Sequence, residues 1–336
     1  RTNPDGQPFA QNQQSDRFDA GLVAEAPIEG IGTAHVRASG TTQAHDHRFG
    51  ALLERDRHRT FFAEASLSGK ADGTSWIAGL AFQADSYKSR TFPAFDYSYE
   101  TPAIFAQIEQ DLTDRLTFAG SARLDAHSNY GTHLSPRVSL LYKPGRFTVR
   151  GSVGRGFYAP TPFVDETEAA GLSRLAPLGP LKAEIAESAS LDIGYARGRI
   201  EANVVLFASH AHDSTRLQPF SASGVGPADR VRLVNVPGVT RIAGAELLLR
   251  YRLAPFTVTA SYVHLHATEP LLGNAARREV PLTPRHTGGL VAMWEKHGKG
   301  RIGFEAYYTG RQELEDHPFR TRSRPYVEMG LLGEIV

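Results

Sequence analysis

The sequence predicts an all-β fold, an antiparallel transmembrane β-barrel. Two observations support this prediction. Many segments alternate apolar and polar side chains, as strands with one apolar and one polar face do. Short turns flanked by aromatic residues also alternate with long polar connections. Tyr142 and Phe147 flank the turn at 143–145, and the long connection 157–182 follows the next strand. Short turns on one side and long loops on the other are typical of such barrels.

The alternation is clearest around Arg150, where Phe147, Val149 and Val153 share one face and Thr148 lies on the other. It recurs at 188–195, 244–252 and 301–309. Applied along the whole chain, the pattern predicts about fifteen strands. Their approximate spans are 17–25, 30–40, 56–68, 74–85, 101–112, 115–127, 134–143, 147–156, 184–196, 199–210, 239–252, 256–267, 285–295, 300–310 and 323–336.

Aromatic residues precede four of the short turns and share the parity of the apolar face. They are Tyr142, Tyr195, Tyr251 and Trp294. Rings at these positions suit the headgroup level of a membrane, where one end of the side chain is apolar and the other is wet. A soluble all-β binding protein is the alternative, but its apolar faces would have to form one core, and the aromatic belt would then have no purpose.

Composition narrows the possible classes of protein. The 336 residues contain no run of about 18 apolar residues, so the sequence predicts no transmembrane helix. A net charge of +1 argues against nucleic acid as a partner, and the absence of cysteine excludes disulfides and thiolate metal sites. Nothing resembles a nucleophile elbow, a P-loop or a zincin helix, so we expect neither an enzyme nor a cofactor.

Four groups of motifs occur in order between Gly154 and Gln312. They are GRGFYAPTPF (154–163) with LKAE (181–184) and DIGY (192–195), VPG (236–238) with GAE (244–246), PLTPRH (281–286), and YTGRQ (308–312). This ordered set resembles the barrel motifs of TonB-dependent outer-membrane receptors of the iron-complex and siderophore type. The N-terminal half of the chain resembles such barrels more loosely.

The resemblance implies a plugged barrel of about 22 strands in the outer membrane of a Gram-negative bacterium, in contact with its lipid. It also implies active uptake of a scarce nutrient, most often a ferric siderophore or another small metal chelate, without covalent chemistry. The inner-membrane proton gradient would supply the energy through TonB with ExbB and ExbD. A passive outer-membrane diffusion porin stays open as an alternative, although porins have only about 16–18 strands and an open channel.

The plug domain of this family and its TonB box are not recognisable in the sequence. We therefore expect residues 1–336 to form the central part of the barrel domain, with the plug domain and the closing strands absent. If the short turns face the periplasm, the first and last predicted strands both run inward. About five strands before and two after them would then complete the count expected of the family.

Charged residues recur on the polar faces of the predicted strands. They are Arg123, Asp125, Arg137, Arg150, Asp192, Glu246, Arg250, Arg252 and Glu305. Charged groups inside a barrel need partners, because burying an unpaired charge is costly. Two interpretations stay open, namely ion pairs within the wall and contacts with a plug in the lumen.

The extracellular mouth supplies candidate ligand-binding residues, because the strand at 147–156 is predicted to run outward. They are Arg155, Phe157, Tyr158, Phe163, Glu166, Glu168 and Arg311. Aromatic rings together with arginine suit anionic or aromatic ligands such as siderophores. The alternative is that aromatic residues and prolines only order a loop.

Three histidine pairs have the spacing that places both imidazoles on one face of a strand. They are His45 with His47, His210 with His212, and His264 with His266. All three are predicted at the outer ends of strands or in loops. Histidine pairs can bind zinc, copper or nickel, but no further ligands accompany these pairs, so the sequence predicts no metal site and leaves them as weak candidates.

Overall fold

The structure is a computed structural model of the chain. It describes residues 10–164, 167, 171–222, 230–271, 276–296, 298–315 and 319–335. Among these residues no helix is both long enough and apolar enough to cross a membrane. Instead, the described chain consists mainly of long antiparallel strands, as the sequence predicts.

Fifteen strands form one continuous path through the main sheet. They are β1 Gln11–Ile28, β2 Gly32–Phe49, β3 Leu52–Ala71, β4 Thr74–Ser89, β5 Tyr97–Thr113, β6 Leu116–His127, β7 Gly131–Tyr142, β8 Phe147–Tyr158, β9 Glu184–Arg197, β10 Ile200–His212, β13 Val239–Leu253, β14 Phe256–Pro270, β16 His286–Lys296, β17 Gly300–Thr309 and β18 Tyr326–Ile335. The shorter strands are β11 Thr215–Phe220, β12 Arg230–Asn235 and β15 Arg277–Glu279. A 3-10 turn, Pro93–Phe95, precedes β5.

The strands of the path pair in chain order, each antiparallel to the next, with β1 and β18 at the two edges. β15 adds to β14, which brings the sheet to 16 strands, and β11 and β12 form a separate hairpin between β10 and β13. Each of the fifteen predicted strands corresponds to one strand of the path. The predicted all-β antiparallel architecture is confirmed.

One face of the sheet is apolar and yet exposed. Leu80, Ile104, Leu124 and Leu134 are successive cross-strand partners on β4 to β7. They expose 63%, 55%, 38% and 53% of their surfaces. Removing one such side chain from water contributes about 1.5–3 kcal/mol. A continuous row of this kind is therefore stable in contact with lipid, whereas its exposure to water would cost free energy.

The aromatic belt lies at the end of the sheet that carries the tight turns, which we name the inner end. Phe147 and Tyr195 are cross-strand partners with ring centroids 4.9 Å apart, and Phe256 is paired with Trp294. All four share the register of the apolar face. Amphipathic rings in this position mark the boundary between the apolar band and the aqueous phase.

At the opposite end of the sheet, which we name the outer end, strands β2 and β3 differ from the sequence prediction. The stretch 41–55, predicted as a loop, continues β2 and β3 into a hairpin that turns at Gly50 with a φ of 59°. Its strands contain 18 and 20 residues, whereas about 9–11 suffice to cross a bilayer. Cross-strand ion pairs such as Arg55 with Asp46 (3.1 Å) stabilise this polar extension, which lacks the apolar alternation used for the prediction. The strands β11, β12 and β15 escaped the prediction because they contain only 6, 6 and 3 residues.

Candidate functional site

A cavity of about 1100 Å³ lies at the outer end of the polar face. Strands β1 to β6 and the outer end of β8 supply its wall, and the connection between β8 and β9 covers part of it. Its described lining is Gln13, Gln43, His45, His47, Glu54, Asp56, His58, Phe62, Gln83, Asp85, Tyr87, Tyr97, Tyr99, Thr101, Arg123, Asp125, His127, Phe157, Tyr158, Ala159, Thr161, Phe163, Thr167, Gly171 and Leu172.

The β8–β9 connection is held on the wall by apolar contacts. Leu172 and Leu175 are 3% and 2% exposed and pack in one cluster with Tyr87, Phe95 and Tyr97. Because this core joins residues from β4, β5 and the connection, it fixes the covering segment with respect to the strands. The cavity therefore has a defined shape within the described part of the chain.

Hydrogen bonds attach the same connection at two further points. The Leu172 N–H donates to Oε2 of Glu54 on β3 at 3.1 Å. The Tyr130 hydroxyl, in the turn between β6 and β7, donates to the Pro160 carbonyl at 2.6 Å. Burial raises the pKa of the Tyr130 hydroxyl well above its usual range, so this donor keeps its proton.

A row of rings forms the aromatic wall of the cavity, which comprises Tyr87, Tyr97, Tyr99 and His127. Tyr97 and Tyr99 stack with ring centroids 4.6 Å apart, and Tyr87 and Tyr97 stack at 5.9 Å. The His127 ring follows at 5.0 Å from Tyr99, and Phe163 meets Tyr87 edge-on at 4.7 Å. Such a wall offers flat apolar faces and hydroxyl groups to a ligand.

Ion pairs accompany the aromatic wall. His58 Nε2 lies 2.6 Å from Asp85 Oδ1, and His45 Nδ1 lies 2.8 Å from Asp56 Oδ1. The Arg123 guanidinium contacts Asp125 at 2.8 Å. The cavity thus combines stacked rings with carboxylates, which is a surface for binding and orienting a polar aromatic or chelated ligand.

A protein-family model described as a TonB dependent receptor-like β-barrel matches residues 3–327. The chain belongs to this family. A curated relative, the iron-regulated outer membrane virulence protein of Vibrio cholerae, is 29% identical over 212 residues. That alignment covers 59% of this chain and 32% of the relative, so the chain spans about a third of the length of the curated protein it matches.

Solved structures of a siderophore receptor and of two metal transporters share the fold. The siderophore receptor PirA from Acinetobacter baumannii aligns with a TM-score of 0.74 at 15% identity, covering 97% of this chain and 56% of PirA. The FrpB iron transporter from Neisseria meningitidis aligns with a TM-score of 0.77 at 14% identity, covering 96% of this chain and 56% of FrpB. The copper transporter OprC aligns with a TM-score of 0.77 at 13% identity, covering 96% of this chain and 58% of OprC. Identities this low show the fold alone. With the family, they place the chain in the Gram-negative outer membrane.

Three of the predicted mouth residues line the cavity of this receptor barrel, namely Phe157, Tyr158 and Phe163. Arg155 is exposed and is the cross-strand partner of Glu187, and it is not part of the cavity lining. Arg311 follows β17 and does not line the cavity either. Glu166 and Glu168 lie outside the described residues. A ligand-binding role for these seven residues stays a prediction.

The nine charged residues predicted for the lumen all share the register of the polar face. Arg150 and Asp192 are cross-strand partners of opposite charge. Glu201 pairs with both Arg250 (3.6 Å) and Arg252 (2.7 Å). Together with the Arg123–Asp125 pair these contacts fit the interpretation of ion pairs within the wall. Contact with a plug stays a prediction.

The three histidine pairs separate onto two faces. His45 and His47 line the cavity. The other four have the register of the apolar face: His210, His212, His264 and His266. His264 faces His286 with ring centroids 4.9 Å apart. Among the described residues no group of three or more His, Cys, Asp or Glu side chains is arranged to hold a metal ion.

Sequence reasoning missed most of the cavity. The missed residues include Glu54, Asp56, His58, Asp85, Tyr87, Tyr97, Tyr99 and His127. A signal was present in the FDYSYE stretch (95–100), where Tyr97 and Tyr99 are two residues apart and therefore share a strand face. That stretch was predicted as loop, so the alternation was not applied to it.

Proposed function

We propose that the protein is an outer-membrane receptor for active uptake of an iron chelate of the siderophore type, energised through TonB with ExbB and ExbD. The observation that carries this proposal is the cavity at the outer end of the polar face, which is lined by stacked tyrosines and partly covered by the described part of the β8–β9 connection. The family assignment supports the coupling to TonB, and the names of the relatives favour iron as the cargo.

In this proposal the ligand first binds from outside the cell, between the aromatic wall and the β8–β9 connection. A plug would pack against the polar face on the inner side of the cavity, where Arg150 is the cross-strand partner of Asp192 and Glu246 lies two strands beyond Asp192. Force from TonB would displace the plug and let the chelate pass. The receptor binds, orients and releases its cargo and makes no covalent bond to it.

The proposal treats residues 1–336 as part of the barrel domain of a longer receptor. The basis is coverage, because the chain aligns with only 56% of PirA and FrpB while nearly all of this chain is matched. Plug, TonB box and closing strands are then supplied by the remainder of that receptor.

Growth under iron limitation tests the proposed function. The complete gene is deleted from its host, and the strain is supplied with one iron(III) chelate at a time from a panel of hydroxamates, catecholates and carboxylates. We expect at least one chelate to support growth only when the gene is restored, with free iron at high concentration as the control. Equal growth of the deleted and restored strains on every chelate would refute the proposal.

A further inference from the structure

We propose that the cavity selects a positively charged iron(III) chelate, one that carries a protonated amine, and discriminates against anionic chelates. This inference rests on the proposed function, because it concerns the charge of the cargo at the same site. The sequence suggested that arginine would bind an anionic ligand, but Arg155 and Arg311 do not line the cavity.

The charges of the described lining favour a cation. Four carboxylates line the cavity, those of Glu54, Asp56, Asp85 and Asp125, whereas Arg123 is its one guanidinium among the described residues. This guanidinium already pairs with Asp125 at 2.8 Å. The Arg123–Asp125 pair is neutral as a unit, so an anionic ligand would meet repulsion from the remaining carboxylates, above all those of Asp56 and Asp85, without a free guanidinium to offset it.

Two of the four lining histidines are also paired with carboxylates. His58 lies 2.6 Å from Asp85, and His45 lies 2.8 Å from Asp56. If either imidazole gains a proton, its charge is balanced locally by the carboxylate beside it. Protonation of these two histidines therefore leaves each pair neutral, and the two carboxylates attract a cation most strongly while the imidazoles are neutral.

The other two lining histidines accept hydrogen bonds through a ring nitrogen. His127 Nδ1 receives the backbone N–H groups of Asn129 (3.1 Å) and Tyr130 (3.2 Å). His47 Nε2 lies 3.0 Å from the side-chain amide nitrogen of Gln11, which can only donate. A ring nitrogen that accepts carries no proton, so the His127 imidazole is neutral in this arrangement. Every potentially cationic side chain of the described lining is thus either paired or an acceptor.

Glu54 adds an acceptor that has spare capacity. Its side chain is 6% exposed, its Oε2 accepts the Leu172 N–H, and its Oε1 has no hydrogen-bond partner among the described residues. A buried carboxyl oxygen without a partner is costly. Because Oε1 is itself buried and burial raises the pKa of this carboxyl, Glu54 contributes less to the attraction of a cation than Asp56 and Asp85 do.

The aromatic wall completes a surface suited to an ammonium group. The faces of tyrosine rings attract cations through their negative quadrupole. Tyr87 and Tyr97 are 3% and 9% exposed, whereas Tyr99 is only half-buried and is the cross-strand partner of Asp85, so a cation would contact the Tyr99 ring and this carboxylate at once. The apolar arms of such a chelate would contact the remaining rings.

Matched probes test the inference on the complete receptor purified in detergent. The first probe is the iron(III) complex of desferrioxamine B, a linear tris-hydroxamate with a free ammonium group. The second is the same complex with its amine acetylated, which keeps the chelate and removes the charge. The third is an anionic iron(III) tris-catecholate. We expect acetylation to weaken binding by at least about tenfold, the effect of about 1.4 kcal/mol, and the catecholate to bind more weakly still.

Two charge variants and one control localise the effect. Asp56→Asn and Asp85→Asn should each weaken binding of the ammonium probe and leave the acetylated probe nearly unchanged. His264→Gln lies on the opposite face and should change neither. Acetylation without effect, or a catecholate that binds at least as tightly as the ammonium probe, would overturn the inference. Failure of all three probes to bind would also count against it, while the growth assay decides the proposed function separately.

Discussion

Replacing Leu172 by alanine should release the β8–β9 connection from the wall without unfolding the barrel. Leu172 is 3% exposed and packs with Tyr87, Phe95, Tyr97 and Leu175, so its truncation removes buried contacts and leaves a cavity. A Leu→Ala change at such a site costs about 2–4 kcal/mol. Because the lost contacts hold only the β8–β9 connection, the substitution lowers the free energy of local opening of this segment and not that of unfolding the barrel.

Hydrogen exchange measures this opening. The Leu172 N–H is bonded to Glu54, and the Leu175 N–H is bonded to the Leu172 carbonyl, so both amides are protected while the connection is docked. A loss of about 2–4 kcal/mol predicts exchange about 30- to 700-fold faster at both amides. The exposed Pro177, in the same connection, gives the control Pro177→Ala, for which we expect little change. Unchanged protection in L172A would refute the docked connection and with it the defined cavity.

Three further predictions concern the faces and the wall. Ile104→Arg places a charge on the exposed apolar row and should lower the free energy of unfolding in lipid vesicles, measured with urea, by about 2–4 kcal/mol. Gln107→Arg, on the polar face, should lower it far less. Equal losses would contradict the assignment of the two faces. Tyr99→Leu should lower the affinity of the receptor for its chelate about tenfold, because it removes a ring that contacts the ligand. Fluorescence quenching measures this affinity, and an unchanged value would place the ligand elsewhere. Arg150 and Asp192 should show a coupling of about 0.2–1 kcal/mol in a double-mutant cycle of unfolding, and a coupling of zero would argue against a pair within the wall.

The strands that cross the membrane could be predicted because lipid imposes a strict rule on them. Every second residue must be apolar, as in Phe147, Val149 and Val153, and aromatic residues such as Tyr195 and Trp294 mark the inner boundary. Each of these features is local in sequence and repeats with a period of two. The fifteen-strand path follows from that repetition alone.

The outer extensions and the cavity could not be predicted in the same way. Strands that leave the apolar band keep their hydrogen bonds but lose the apolar alternation, so β2 beyond Gly40 has the composition of a loop. The cavity joins residues that are distant in sequence, and the bond from Leu172 to Glu54 spans 118 positions. Contacts of this kind depend on the register of several strands and on where one connection folds back. No short motif contains that information.

Uptake of a radioactive iron chelate by intact cells tests the central claim most directly. The complete receptor is expressed in two strains that differ only in TonB, and the chelate is one that supports growth through the receptor. We predict saturable uptake in the strain with TonB and its loss in the strain without TonB or after collapse of the proton gradient, with surface binding retained in both. Equal uptake with and without TonB would contradict the account and favour a passive pore.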